Sequence, residues 1–230
     1  MAVSADPRHP HVRGMGMASA RSRARLVERL RALGIDDERV LDAINRVPRH
    51  EFVDEAMTSR AYDDTALPIG YGQTISQPYI VGEMTRLLIG EGVPEQVLEI
   101  GTGSGYQAAV LAEIVPTVYS VERVEPLYEQ ARRRFARLGY RNIRVRLARE
   151  DVLGLPDYGP FEAILVTAGA ESLPTGLLEQ LAEGGRMIVP VGASGDQRLI
   201  VVRRENDTFV RETLDAVSFV PLIHESGDVR

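Results

Sequence analysis

Val97-Leu98-Glu99-Ile100-Gly101-Thr102-Gly103-Ser104-Gly105 is the stretch whose reading decides the fold. A short apolar run enters three alternating glycines, and an amphipathic segment at 106–114 leaves them. That is the pattern of a strand, a tight turn and a helix, with glycine supplying positive φ and close backbone approach. Downstream the alternation continues. Apolar runs at 118–121, 143–147 and 163–167 read as strands, and amphipathic stretches at 125–138 and 174–182 as helices. Repeated β–α units imply a doubly wound, mostly parallel sheet with right-handed crossovers. After Gly184-Gly185 the runs at 186–191, 198–204 and 208–217 lack an intervening helix, so an antiparallel edge is expected to finish the sheet.

Three spaced glycines alone are a weak signal, and two details sharpen them. The spacing is G-x-G-x-G with Glu99 ahead of it, not the G-x-G-x-x-G of a dinucleotide site. Glu122 closes the next apolar run, where a carboxylate can accept hydrogen bonds from two ribose hydroxyls or can simply be solvated. A turn this tight suits a ligand without a pyrophosphate. S-adenosyl-L-methionine, with S-adenosyl-L-homocysteine as its product, is therefore expected ahead of a nicotinamide dinucleotide. Unpaired N–H groups at the start of the following helix are expected to face an anionic part of it. After the third strand, Glu150 and Asp151 are both candidates to accept the adenine amine, or else belong to a solvated turn.

Upstream, residues 1–18 lack periodicity and read as a mobile tail, with 19–230 as a single domain: helices and a loop over 19–95, a cofactor core over 96–192 and C-terminal strands over 193–230. From Ser19 a helix places Leu26, Leu30 and Leu33 on one face, with Gly34 as its stop. Asp36 or Asp37 caps a second helix that Pro48 ends. Residues 49–76 then lose regular structure, and so long an irregular, apolar-rich stretch inside a domain is usually functional. Pro78 opens a further helix capped by Ser76 or Gln77, with Met84, Leu87 and Leu88 facing inward.

Composition narrows the classes. The 230 residues are 44% hydrophobic and carry a net charge of −6, which argues for a packed domain and against a nucleic-acid partner. With no cysteine and four histidines, neither a disulfide framework nor a metal site is expected. No apolar run is long enough to span a membrane and no leader is evident, so a soluble, cytoplasmic protein is expected, as a monomer.

Several segments together resemble the protein-L-isoaspartate (D-aspartate) O-methyltransferases: VPRHEFV at 47–53, YDDTALPIGYGQTISQPYIVGEMT at 62–85, VLEIGTGSGYQAAVLAEI at 97–114, PFEAILVTAGA at 160–170, LAEGGRMIVPVG at 181–192 and FVPL at 219–222. The TISQP segment joined to EIGTGSGY makes the resemblance specific. It implies a Rossmann-like methyltransferase fold with added N-terminal helices. It also implies methyl esterification of the α-carboxylate of L-isoaspartyl residues in damaged proteins and peptides, a repair reaction. By the same resemblance Ser76 is the active-site residue, Thr74, Ile75 and Gln77 lie against cofactor and substrate, and Gly101, Gly103, Gly105 and Glu122 match cofactor positions. Two departures stand out: Arg149-Glu150-Asp151 where the family usually has Gly-Asp-Gly, and Ser218 where an Arg often precedes FVPL.

The chemistry is consistent with the residues. A carboxylate of pKa near 4 is already ionised at neutral pH and needs no general base. Ser76 is therefore expected to orient the carboxylate rather than act as nucleophile. Asp63 and Asp64 would repel an anionic substrate, so a structural or solvated role is expected for them, and His50 reads as a surface or packing residue. The alternatives are a carboxylate methyltransferase with one dedicated peptide partner, or a cofactor-binding protein without catalysis.

Overall fold

A computed structural model describes residues 17–90 and 92–223. Most of the expected tail over 1–18 therefore lies outside the described residues. Helix α1 (Met17–Ala32) buries Leu26 and Leu30. It ends where Gly34 takes φ +102° and the Ile35 amide donates back to the Leu30 carbonyl at 3.0 Å. This six-to-one bond closes the helix and drops Ile35 into the core. Leu33, expected on the apolar face, is 50% exposed, because the chain has already left the helix and Ile35 takes the inward place. Helix α2 (Glu38–Arg46) starts at Asp37, whose carboxylate accepts from the Arg39 amide at 2.9 Å.

The stretch expected to be irregular contains two 3-10 turns, Arg49–Phe52 and Glu55–Arg60, and a small antiparallel hairpin of β1 (Leu67–Gly70) and β2 (Gln73–Ile75). Tyr71 and Gly72 turn the hairpin at φ +54° and +69°. Strands of three and four residues are too short to display a readable alternation. Helix α3 (Pro78–Ile89) begins at Pro78 with Gln77 at the N-cap, as expected, but no capping hydrogen bond comes from the Gln77 side chain. Asp64 supplies one from outside: one carboxylate oxygen accepts from the Tyr79 amide at 2.8 Å and the other from Gln77 Nε2 at 2.9 Å. One half of the acidic pair thus ties the loop to the helix, while Asp63 is exposed beside Arg60.

The core continues through β3 (Gln96–Ile100), α4 (Tyr106–Ala112), β4 (Thr117–Glu122), α5 (Glu125–Leu138), β5 (Ile143–Leu147), β6 (Phe161–Val166), α6 (Thr175–Leu178), β7 (Leu181–Ala193), β8 (Asp196–Glu205) and β9 (Thr208–Val217). Among the described residues, seven strands form one sheet in the order β5-β4-β3-β6-β7-β8-β9. The first five are parallel, and β8 and β9 add the expected antiparallel edge. Successive core residues alternate between two apolar layers. Val97, Val118 and Leu165 face the side covered by α1 to α5, whereas Leu98, Tyr119 and Ile164 face α6 and the loops around Leu155. The helix expected over 174–182 ends at Leu178. Leu181 instead pairs with Phe161 as the first residue of β7, and the Gln180 side chain donates to Leu153 O and accepts from the Leu155 amide, both at 2.8 Å.

Chain order reverses beside β3: the connections through α4 and α5 build outward to β5, and the next strand returns to the other side of β3 as β6. Such a switch point opens a crevice at the carboxyl ends of the strands. Removing the remote cap on α3 has a simple expected result. Asp64→Ala costs about 1 kcal/mol, a fall in melting midpoint of roughly 2–4 °C, measurable by far-ultraviolet circular dichroism.

Candidate active site

The crevice is a cleft, open to solvent, at the ends of β3, β4 and β6. Its floor is the glycine turn. Gly101, Gly103 and Gly105 take φ of +98°, +52° and +88°. At the outer two, packing forbids a side chain as well: a Cβ on Gly101 would stand 2.6 Å from Thr167 Oγ1, and one on Gly105 would stand 2.5 Å from the Phe135 ring.

The turn is stitched to β4. The amides of Gly101 and Thr102 both donate to the Val121 carbonyl, at 2.9 and 3.2 Å, and the Gly103 amide donates to Glu122 at 2.6 Å. The Gly105 amide donates to Thr102 O at 2.8 Å. The turn is therefore held by its own amides, and at the start of the following helix the Tyr106 amide lies 3.3 Å from Ser104 Oγ.

Glu122 lines the cleft, and its other oxygen accepts from the amides of Arg123 and Val124, each at 2.8 Å. A carboxylate offers about four acceptor positions, and three are filled by backbone. Two ribose hydroxyls can both bond to it only by sharing with the Gly103 amide.

Glu99 does not line the cleft. It is fully buried under the turn, where Ser120 Oγ donates to one of its oxygens and Ser120 in turn meets Thr102 Oγ1 at 2.5 Å. Its second oxygen has no partner among the described residues. Burial pushes the carboxyl up to about 8, and the nearby Glu122 charge adds to the rise. Glu99 thus supports the cleft from beneath, through Ser120 and Thr102, as a neutral acid at pH 7.

The roof is the hairpin. Gln73, Thr74, Ile75 and Ser76 all line the cleft, and Ile69 Cδ1 lies 3.4 Å from where a Gly103 Cβ would stand. The structure thus brings the Thr74-Ile75-Ser76 segment and the glycine turn together across one space. Gln77 is left out of it, its amide engaged by Asp64. The far wall is Val220–Ile223, fastened by backbone bonds to Gly169 and by the Gln197 amide, which donates to Phe219 O at 3.1 Å and accepts from its N–H at 2.8 Å.

Comparisons with known proteins assign the chain to a family. A sequence model of the protein-L-isoaspartate(D-aspartate) O-methyltransferases matches residues 21–227. The chain belongs to that family. It is 53% identical over 94% of its length, and 98% of the other chain, to a protein-L-isoaspartate O-methyltransferase of Halorhodospira halophila. It is 56% identical to protein-L-isoaspartate O-methyltransferase 1 of Nitrosococcus oceani, over 92% of its own length and all of the relative's. A solved structure from Plasmodium falciparum, described as a protein-L-isoaspartate O-methyltransferase in complex with S-adenosyl-L-homocysteine, superposes with a TM-score of 0.77 at 27% identity, covering 87% of this chain and 98% of that one.

Within this protein-L-isoaspartate O-methyltransferase fold, the two departures have plain positions. Glu150 and Asp151 are exposed and do not line the cleft; Ala148, Val152, Leu153 and Gly154 do. Arg149 turns outward to Asp157 at 3.2 Å. Ser218 is exposed and stands just before the wall. Sequence reading missed Gln107, Tyr106 and Thr167 as lining residues. Thr167 had a usable signal: it follows a strand at the switch point, and its hydroxyl donates to Gly101 O at 2.6 Å.

Two measurements test this geometry. Glu122→Gln puts an amide donor against backbone donors, so S-adenosyl-L-homocysteine is expected to bind at least 10-fold more weakly by titration calorimetry. For Glu99, the unfolded side chain releases its proton near pH 4.5, whereas the folded one keeps it to about 8. The unfolded state is thus favoured as pH rises across that window, by on the order of 1 kcal/mol per pH unit. Urea denaturation at pH 5 and 8 is expected to show wild type losing more stability than Glu99→Gln.

Proposed function

We infer that this protein transfers the methyl group of S-adenosyl-L-methionine to the free α-carboxylate of L-isoaspartyl residues in damaged proteins and peptides, giving the α-methyl ester. Family membership over nearly the whole chain supports the reaction and the substrate class. One observation in the cleft carries the chemical reading. Ser76 and the glycine turn face the same space, and Glu122, the carboxylate that lines it, already accepts three backbone N–H groups. A site with its carboxylate so engaged is poor at abstracting protons. It is well suited to an acceptor that is ionised before it arrives.

The bound cofactor supplies an electrophilic methyl on a sulfonium. The chain supplies placement. The turn at Gly101–Gly105, with Glu122, holds the donor side, while Thr74, Ile75 and Ser76 face the acceptor side. The Ser76 hydroxyl donates to the incoming carboxylate and sets its line of approach. Alignment of two bound reactants can lower a barrier by about 7–11 kcal/mol, and Ile75, Val81 and Leu222 contribute apolar lining. Reading a main chain lengthened by one methylene falls to the backbone of the hairpin and of Val220–Ile223, which tolerates varied side chains in the substrate. The proposed working form is a monomer. Among the described residues, no helix is long and apolar enough to cross a membrane, which fits the proposed cytoplasmic setting.

A labelled methyl-transfer assay on matched isoaspartyl and aspartyl peptides tests the reading, with methylation expected on the isoaspartyl member of several unrelated pairs. Equal rates on both members would overturn the selectivity. A hydrogen bond to a charged group contributes about 1.5–3 kcal/mol, so Ser76→Ala is expected to lower kcat/KM roughly 10–100-fold with an unchanged melting midpoint.

A further inference from the structure

Arg49 belongs to the 3-10 turn of the VPRHEFV segment and lies outside the cleft, yet it is the largest fully buried side chain of the molecule's described part. Its Nη2 donates to the Ser76 carbonyl at 2.8 Å and reaches the Thr65 carbonyl at 3.4 Å, so one guanidinium spans the two ends of the hairpin segment. The same group lies over the Tyr106 ring, 4.7 Å from its centroid. Tyr106 is the first residue after the glycine turn and lines the cleft.

The stack continues. Tyr106 meets Phe52 edge-on at 5.6 Å, Arg134 lies 5.7 Å over Phe52, and Arg134 Nη1 donates to the Ser104 carbonyl at 2.6 Å. Arg49 Nε and Nη1 have no hydrogen-bond partner among the described residues. Tyr106, then Asp64 and Tyr62, face the cation electrostatically, but the Asp64 oxygens accept from Tyr79 and Gln77. A buried guanidinium so thinly paired is expensive as a stability device. An aromatic face suits its planar, delocalised charge better than it suits an ammonium.

We propose that Arg49 is a positioning residue for methyl transfer: it pins the Ser76 backbone to the Tyr106 ring and so fixes the acceptor side of the cleft relative to the cofactor turn. The turn itself is held independently, by Val121, Glu122 and Arg134. Losing the Arg49 link therefore loosens one side of the site and leaves the other in place. This inference rests on the carboxylate-methylation reading for its kinetic part and on geometry alone for its structural part.

The test compares wild type with Arg49→Met, which keeps the stem volume, and Arg49→Lys, which keeps the charge but not the planar fork. For Arg49→Met the expected result is a kcat on an isoaspartyl peptide at least 30-fold lower, with peptide KM and S-adenosyl-L-homocysteine Kd each within 3-fold of wild type. Arg49→Lys is expected to fall between the two. Deuterium exchange is expected to quicken at least 10-fold across residues 65–77 in Arg49→Met and to stay unchanged across 101–105. A folded Arg49→Met with wild-type kcat, or one that loses cofactor affinity and kcat in parallel, overturns the proposal. So does exchange that is unaltered or equally raised in both segments. If Arg49→Met does not fold, Arg49→Lys decides: kcat at least 3-fold lower with unchanged Kd supports the proposal, and equal kcat or parallel loss overturns it. Should wild type methylate no isoaspartyl peptide, the functional reading fails, and the exchange comparison still decides the tether.

Discussion

The hydrogen bonds that join the glycine turn to the end of β4 are the constraint on which the site depends. Two amides converge on the Val121 carbonyl and a third on Glu122, and the chain can supply them only with positive φ at Gly101, Gly103 and Gly105. Once that turn is set, Gly105 lies close against the Phe135 ring, and α4 packs over β4 and β5. Ile69 then has a surface to rest on, and the hairpin bearing Ser76 closes over the same cleft. Positive φ excludes almost every side chain other than glycine. The rest of the site inherits its geometry from those few torsions.

The electrostatics follow from how the acidic groups are stored. Glu122 accepts hydrogen bonds from three backbone amides, and Glu99 is kept protonated by burial. Asp64 faces away into the cap of α3. An acceptor carboxylate thus enters a cleft whose nearest acids are either tied down or uncharged, while the buried guanidinium of Arg49 stands behind Ser76. This distribution lowers the repulsion an anion would otherwise meet in a chain of net charge −6.

The fold was legible where periodicity was long. The strands at 97–100, 118–121 and 143–147 and the helix at 125–138 lie within a residue or two of their expected bounds, because each carries a regular apolar spacing. Legibility failed where tertiary pairing overrode the local pattern. The 174–182 stretch has helical spacing, yet Leu181 pairs better with Phe161 and Gln180 is pulled away to Leu153 and Leu155. The hairpin at 67–75 was too short to announce itself. Within the site, the glycines stood out by their spacing, whereas Ser76 was marked only by the family resemblance. Arg49 did not stand out, since nothing in Val47-Pro48-Arg49 says that a cation will be buried against a tyrosine fifty-seven positions later.

The remote cap on α3 gives the molecule a built-in reporter. The Tyr79 amide is protected by a carboxylate that lives in another element, not by the helix itself. Its exchange with solvent therefore tracks the lifting of the 62–76 segment, whereas amides one turn further along track the helix. A single resonance assigned to Tyr79 in a nitrogen-15 spectrum would register how often the roof opens, in the absence of any ligand and without a label on the protein surface.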